Sequence, residues 1–110
     1  MAKFIQDRVA RVPSQNVRST GGFVQLTLAG NHGVSTDSAQ FQVLDPDGGA
    51  RDVYLPEVGL SAGAWFRFSN IGSGGGTLEI KAGPGTPLLM QVANDESIFM
   101  VCNGFNWSPA

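Results

Sequence analysis

The 110-residue sequence holds one cysteine and one histidine, and only 15% of its residues are charged. A single thiol, Cys102, excludes an internal disulfide framework and fits synthesis in a reducing compartment. One histidine, His32, and one thiol are too few ligands for a zinc site. No apolar run approaches the ~20 residues that a membrane-spanning helix needs. The opening residues Met1-Ala2-Lys3-Phe4-Ile5-Gln6-Asp7-Arg8 lack the apolar stretch of a signal peptide. Sustained helical periodicity is also missing after residue 21, which argues against a helical or α/β body.

What is abundant is turn material. Fifteen glycines and six prolines in so short a chain imply many turns and therefore many short strands. Charge is unevenly spread. Residues 1–20 carry Lys3, Arg8, Arg11 and Arg18 against Asp7 alone, whereas the remainder carries three bases against eight acids. An acidic body repels nucleic acid, whose binding requires clustered Lys and Arg. No nucleic-acid or membrane partner is expected.

The chain divides into an arm, residues 1–21, and a body, residues 22–110. Pro13 and the polar runs around it interrupt the arm, although Phe4, Ile5, Val9 and Val12 fall loosely on one side of a short helix. A lone segment of this length gains little from helix propensity. We read it as an extended arm docking on a partner through Lys3, Phe4, Ile5, Arg8, Val9, Arg11 and Val12. A frayed terminus is the competing reading.

From Gly22 onward the period is two. Val24, Leu26 and Leu28 alternate with polar neighbours, and the run ends at Gly30-Asn31-His32-Gly33. Phe41-Gln42-Val43 leads to the turn Asp45-Pro46-Asp47-Gly48-Gly49. Val53-Tyr54-Leu55 follows. Ala64–Ser69 places Phe66 and Phe68 on one face, with Trp65, Arg67 and Ser69 on the other. A flexible glycine turn, 72–76, precedes Thr77–Lys81, and Leu88–Val92 comes next. The last hairpin joins Ser97–Cys102 to Phe105–Trp107 through Asn103-Gly104, a strong short-range hairpin signal. About eight short strands without helical crossovers predict an all-β fold, a small antiparallel β-sandwich or jelly-roll-like barrel. Ile98–Cys102 is apolar on both faces, so a second layer or another subunit must cover its outer side. The reading we favour is an oligomer interface of Ile98, Phe99, Met100, Val101 and Trp107.

Reactive constellations are weak. Gly59-Leu60-Ser61-Ala62-Gly63 matches the G-x-S-x-G nucleophile elbow, but a strand follows it rather than a helix, and His32 precedes it. Asp45, Asp47 and Asp52 lack the spacing of a calcium loop. Asp95 and Glu96 are adjacent, so on a strand they point to opposite faces. The glycines at 72–76 have no lysine or helix after them, as a phosphate loop requires. Asn106-Trp107-Ser108 is a glycosylation sequon followed by Pro109. Trp65 and Trp107 suit sugar stacking or, more commonly, core and interface anchoring. No catalytic residue, metal or cofactor is expected.

The second half carries a resemblance. Asp52-Val53-Tyr54-Leu55-Pro56, Gly63–Asn70, Gly76–Ile80 and Asn94–Trp107 together resemble a recurrent β-domain of tailed-phage structural proteins. In that domain an "xLP" strand precedes a "G-x-x-F-x-F-x-N" strand and a glycine-rich hairpin. An "E-S-x-x-x-V-x-(D/N)-G-x-x-W" hairpin closes it. The match spans roughly residues 22–108, departs at Cys102 and Asn103, and leaves the basic arm as this chain's own. In larger chains the domain is a segment of fibres or spikes. Nearly alone, it resembles head decoration (cement) proteins. The resemblance implies a non-enzymatic protein made in the host cytoplasm that sits on the outer capsid surface. It also implies a homotrimer that binds the major capsid protein across shell subunits. A tail-fibre or spike domain for attachment or glycan binding is the alternative.

Overall fold

The structure is a computed structural model that describes residues 22–72 and 74–110. The arm and its proposed contacts Lys3, Phe4, Ile5, Arg8, Val9, Arg11 and Val12 lie outside the described residues. The body is all-β. In chain order its strands are β1 (Phe23–Thr27), β2 (His32–Gly33), β3 (Phe41–Asp45), β4 (Ala50–Tyr54), β5 (Trp65–Asn70), β6 (Thr77–Lys81), β7 (Leu88–Val92), β8 (Ser97–Cys102) and β9 (Trp107–Pro109), with one 3-10 turn at Val58–Leu60.

The strands form two sheets, ordered β1-β3-β5-β8-β9 and β2-β4-β6-β7. The first six strands therefore alternate between sheets as the chain proceeds. Each of the first four pairs in parallel with the strand two places later: Phe23 lies beside Phe41, Phe41 beside Arg67, His32 beside Val53 and Ala50 beside Thr77. The chain thus coils, making one pass through each sheet per turn. The last three strands join by antiparallel pairing: β7 to β6, β8 to β5, and β9 to β8.

Both sheets are mixed, so the all-β, sandwich-like arrangement stands and the expected antiparallel pairing is corrected. The expectation assumed that parallel neighbours need helical crossovers. Here the crossover is a strand of the opposite sheet, so the connection stays short and needs no helix. Sequence alternation reports which side chains share a face, but not which strand lies alongside.

The core fills the space between the sheets. Leu44, Phe66, Phe68 and Met100 from the first sheet meet Val53, Leu78, Ile80 and Val92 from the second. Burying each such side chain stabilises the fold by about 1.5–3 kcal/mol. Phe66 and Phe68 point inward and Trp65, Arg67 and Ser69 outward, as their alternation indicates. β1 fits its expectation less well, because Leu26 is 38% exposed. It lies on the inner side beside Leu44, but β1 is an edge strand and β2, at that end of the facing sheet, has only two residues.

The crossings from the first sheet to the second stack on one another. At Pro46–Gly49 the turn holds Asp47 and Gly48 at positive φ, and the Asp45 carboxylate accepts from the Asp47 amide at 2.8 Å. The glycine loop of the next crossing packs directly on it. A side chain at Gly76 would collide with the Gly49 carbonyl oxygen and lie 2.9 Å from the Gly49 nitrogen, at a φ of 95° that L-residues avoid. Gly72, likewise, faces the Gly75 carbonyl and Pro46. Gly72 and Gly76 are required for close approach rather than for the flexibility read from sequence.

Gly76→Ala is expected to destabilise the protein by about 2–4 kcal/mol, read from the urea midpoint. Gly30→Ala, which meets nothing within 4 Å, is expected to change stability by no more than about 0.5 kcal/mol. Equal effects at the two sites would contradict the stacked crossings.

Candidate binding face of the five-stranded sheet

Because parallel neighbours in register point to the same side, the coil assembles a lateral row on the outer face of the first sheet. Phe23, Phe41, Arg67 and Phe99 lie side by side on β1, β3, β5 and β8. Trp65, one outward position earlier on β5, stands beside Val101. Its ring meets Phe41 edge-on at 5.6 Å between centroids and Phe99 at 5.8 Å, tilted by 54°. The Arg67 guanidinium carbon lies 5.6 Å from the Phe99 ring centre, a cation–π contact. Phe23 is 65% and Phe99 41% exposed. Four aromatic rings on one open face form a contiguous apolar patch of the kind that marks interaction sites. Outward-pointing Arg67 and Asp45 are its nearest charges on these strands.

The residues expected at an oligomer interface divide in two. Phe99 and, in part, Val101 lie on this outer face. Met100 is fully buried, and Ile98 packs against the core from the same inner side. Trp107 is 4% exposed and donates its indole N–H to the Pro56 carbonyl at 2.9 Å. Met100 and Trp107 are therefore corrected to core residues. The strand that looked apolar on both faces has one face covered by the second sheet and the other left uncovered by the described residues. The final hairpin also shifts: Asn103–Asn106 forms its loop, with the Asn103 side chain accepting from the amides of Phe105 and Asn106. β9 begins only at Trp107, which leaves Phe105 exposed at the tip.

The candidates for chemistry are occupied elsewhere. Ser61 is buried and donates to the Glu57 carbonyl at 2.7 Å. His32 is not in an isolated turn. Its strand pairs with β4, and its Nε2 lies 3.0 Å from the Gln42 side-chain oxygen. The buried Gln42 amide donates to the Ala39 carbonyl, which turns its oxygen towards His32, so His32 Nε2 carries the proton. Among the described residues no hydrogen bond joins Ser61 to His32, and no three His, Cys, Asp or Glu side chains are grouped to hold a metal ion. Cys102 is buried.

A polar cluster missed from sequence lies on the second sheet. Asp52 accepts from Lys81 Nζ at 3.1 Å and from the Tyr54 hydroxyl at 3.2 Å, and Asn31 bridges Tyr54 and the Asp52 amide. Asp52, Tyr54 and Lys81 are brought together by the parallel β4–β6 pairing, which no local pattern signals. The ion pair is partly exposed and contributes no more than about 1 kcal/mol. Desolvation, then the Asp52 carboxylate, push the Tyr54 phenol above its ordinary value.

No family model matches the chain, and no curated protein and no solved structure matches it either.

Trp107→Phe leaves the Pro56 carbonyl without its donor and is expected to cost about 1–3 kcal/mol. Phe99→Ala is expected to cost less than about 1 kcal/mol. The reverse order in thermal unfolding would place Trp107 at a surface after all. For Tyr54, a raised folded-state pKa contributes stability in full below the ordinary phenol range. That contribution is lost as pH rises through the raised value. Tyr54→Phe is expected to reduce the alkaline fall in the urea midpoint, and an unchanged alkaline slope would contradict the Tyr54–Asp52 contact.

Proposed function

We propose that this protein is a non-enzymatic structural component of a phage particle, a head decoration protein that stabilises the shell by spanning its subunits. The observation that carries this reading is the aromatic row of Phe23, Phe41 and Phe99, with Arg67 as its one charged member, on the outer face of the five-stranded sheet. The resemblance of residues 22–108 to a phage β-domain supplies the biological setting. A homotrimer would bury such a face in a closed symmetric assembly. The basic arm, with four bases against one acid, would then engage the major capsid protein of neighbouring capsomers. Each arm multiplies the binding of the body through simultaneous engagement. Docking driven by the arm's charge weakens as salt rises.

Two measurements test the reading together. Densitometry of purified virions is expected to give a copy number comparable to that of the major shell subunit. Deleting residues 1–20 is expected to weaken shell binding by about 100-fold or more while the unfolding transition of the body persists. A trace copy number moves the protein to the tail or fibres. Unimpaired binding by the shortened chain removes the arm from the proposal.

A further inference from the structure

A groove of about 300 Å³ opens at one margin of the aromatic face, where the loop before β3 meets the start of β5. Thr36, Asp37, Ser38 and Gln40 form its polar side and Trp65 its aromatic side, while Ala64 and Phe66, whose ring is in the core, complete the lining. Hydrogen bonds inside the loop fix the polar side. The Ser38 hydroxyl accepts from the Ser35 amide at 2.9 Å, the Ser35 hydroxyl from the Asp37 amide at 3.3 Å, and the Ser35 carbonyl from the Ser38 amide at 3.0 Å. Where the loop returns to the sheet, the Gln40 carbonyl accepts from the Arg67 amide at 2.8 Å, and the Gln42 side chain holds the Ala39 carbonyl. Phe41 and Phe99 brace Trp65. Both sides of the groove are thus set before any ligand arrives, which lowers the ordering cost of binding.

The groove's chemistry selects a ligand class. The Thr36 hydroxyl, the Asp37 carboxylate and the Gln40 amide make no side-chain hydrogen bond to another of the described residues. They present acceptors and donors together. Among the described residues the sole charged group lining the groove is Asp37, which repels phosphates and carboxylates and accepts from hydroxyl groups. Indole offers a broad apolar surface with a polar tip. The volume lies at the small end of ligand pockets. An uncharged ring with an apolar face and a rim of hydroxyls satisfies all of these conditions.

We propose that this groove binds one neutral pyranose unit of a glycan, packed against Trp65 with its hydroxyls on Asp37 and Gln40. The proposal goes beyond the decoration reading, since shell binding requires no sugar, and it places the groove margin of the aromatic face outside any contact between copies. Many copies of a weak site on one particle would bind a glycan-covered surface by multivalency.

The test is titration of the full chain with the methyl glycosides of glucose, galactose, mannose and N-acetylglucosamine, followed by the two tryptophan indole N–H resonances. At least one sugar is expected to shift the Trp65 resonance, while the buried Trp107 resonance stays fixed and reports an intact fold. Trp65→Ala is expected to abolish the remaining sugar-induced backbone amide shifts. Asp37→Asn, a surface change that leaves the fold intact, is expected to weaken binding by about tenfold. The proposal is overturned if none of the four sugars moves Trp65, if Asp37→Asn binds as the parent does, or if an anionic sugar such as sialic acid binds more tightly than the neutral ones. Shell binding is measured separately and does not depend on any of these results.

Discussion

Everything in this body depends on how the chain crosses between its two sheets, and the buried side chain of Asn70 governs the most demanding crossings. Asn70 ends β5 and is 1% exposed. Its amide nitrogen donates to the carbonyls of Gly76 and Val92, and its oxygen accepts from the Gly72 amide at 2.9 Å. Its backbone N–H and carbonyl pair with Glu96 and Asp95. One residue thus ties the outgoing crossing from β5 to β6 and the returning crossing from β7 to β8. No other side chain of that size supplies two donors and an acceptor at once. Its removal would leave the buried Val92 carbonyl, the part-buried Gly76 carbonyl and the Gly72 N–H unpaired, at about 1–3 kcal/mol for each buried group.

From that constraint the binding face follows. Crossings that stack turn upon turn keep β1, β3 and β5 parallel and in register. Parallel register brings side chains far apart in sequence into one lateral row. The aromatic patch is therefore a property of the coil rather than of any one strand. The groove beside Trp65 arises in the same way, from the loop that brings the chain back to the first sheet.

Much of this was legible beforehand, and the limits have physical causes. Period-two alternation located β3, β5 and β6 and assigned Phe66 and Phe68 to the interior, because burial of one face imposes that pattern directly, whereas β8 was located by the Asn103-Gly104 turn. Pairing was not legible, since alternation is the same whether a neighbour runs parallel or antiparallel. β2 was missed because two residues cannot show a period. Trp107 was placed at an interface because an aromatic residue with a polar tip suits core and interface alike. Only its indole N–H on the Pro56 carbonyl decides between them. The groove was invisible because its two sides come from separate parts of the chain, joined only by the β3–β5 pairing.

The central claim is that parallel coiling places Phe41 between Phe23 and the Trp65–Phe99 pair. Nuclear Overhauser spectroscopy on isotope-labelled protein tests it most directly. The account predicts contacts between the Phe41 and Trp65 rings and between the Trp65 and Phe99 rings. It also predicts backbone contacts that step along β3 and β5 in the same direction, from Gln42 beside Phe68 to Leu44 beside Asn70. Backbone contacts joining β3 to β4 as an antiparallel hairpin, with no Phe41–Trp65 contact, would contradict it.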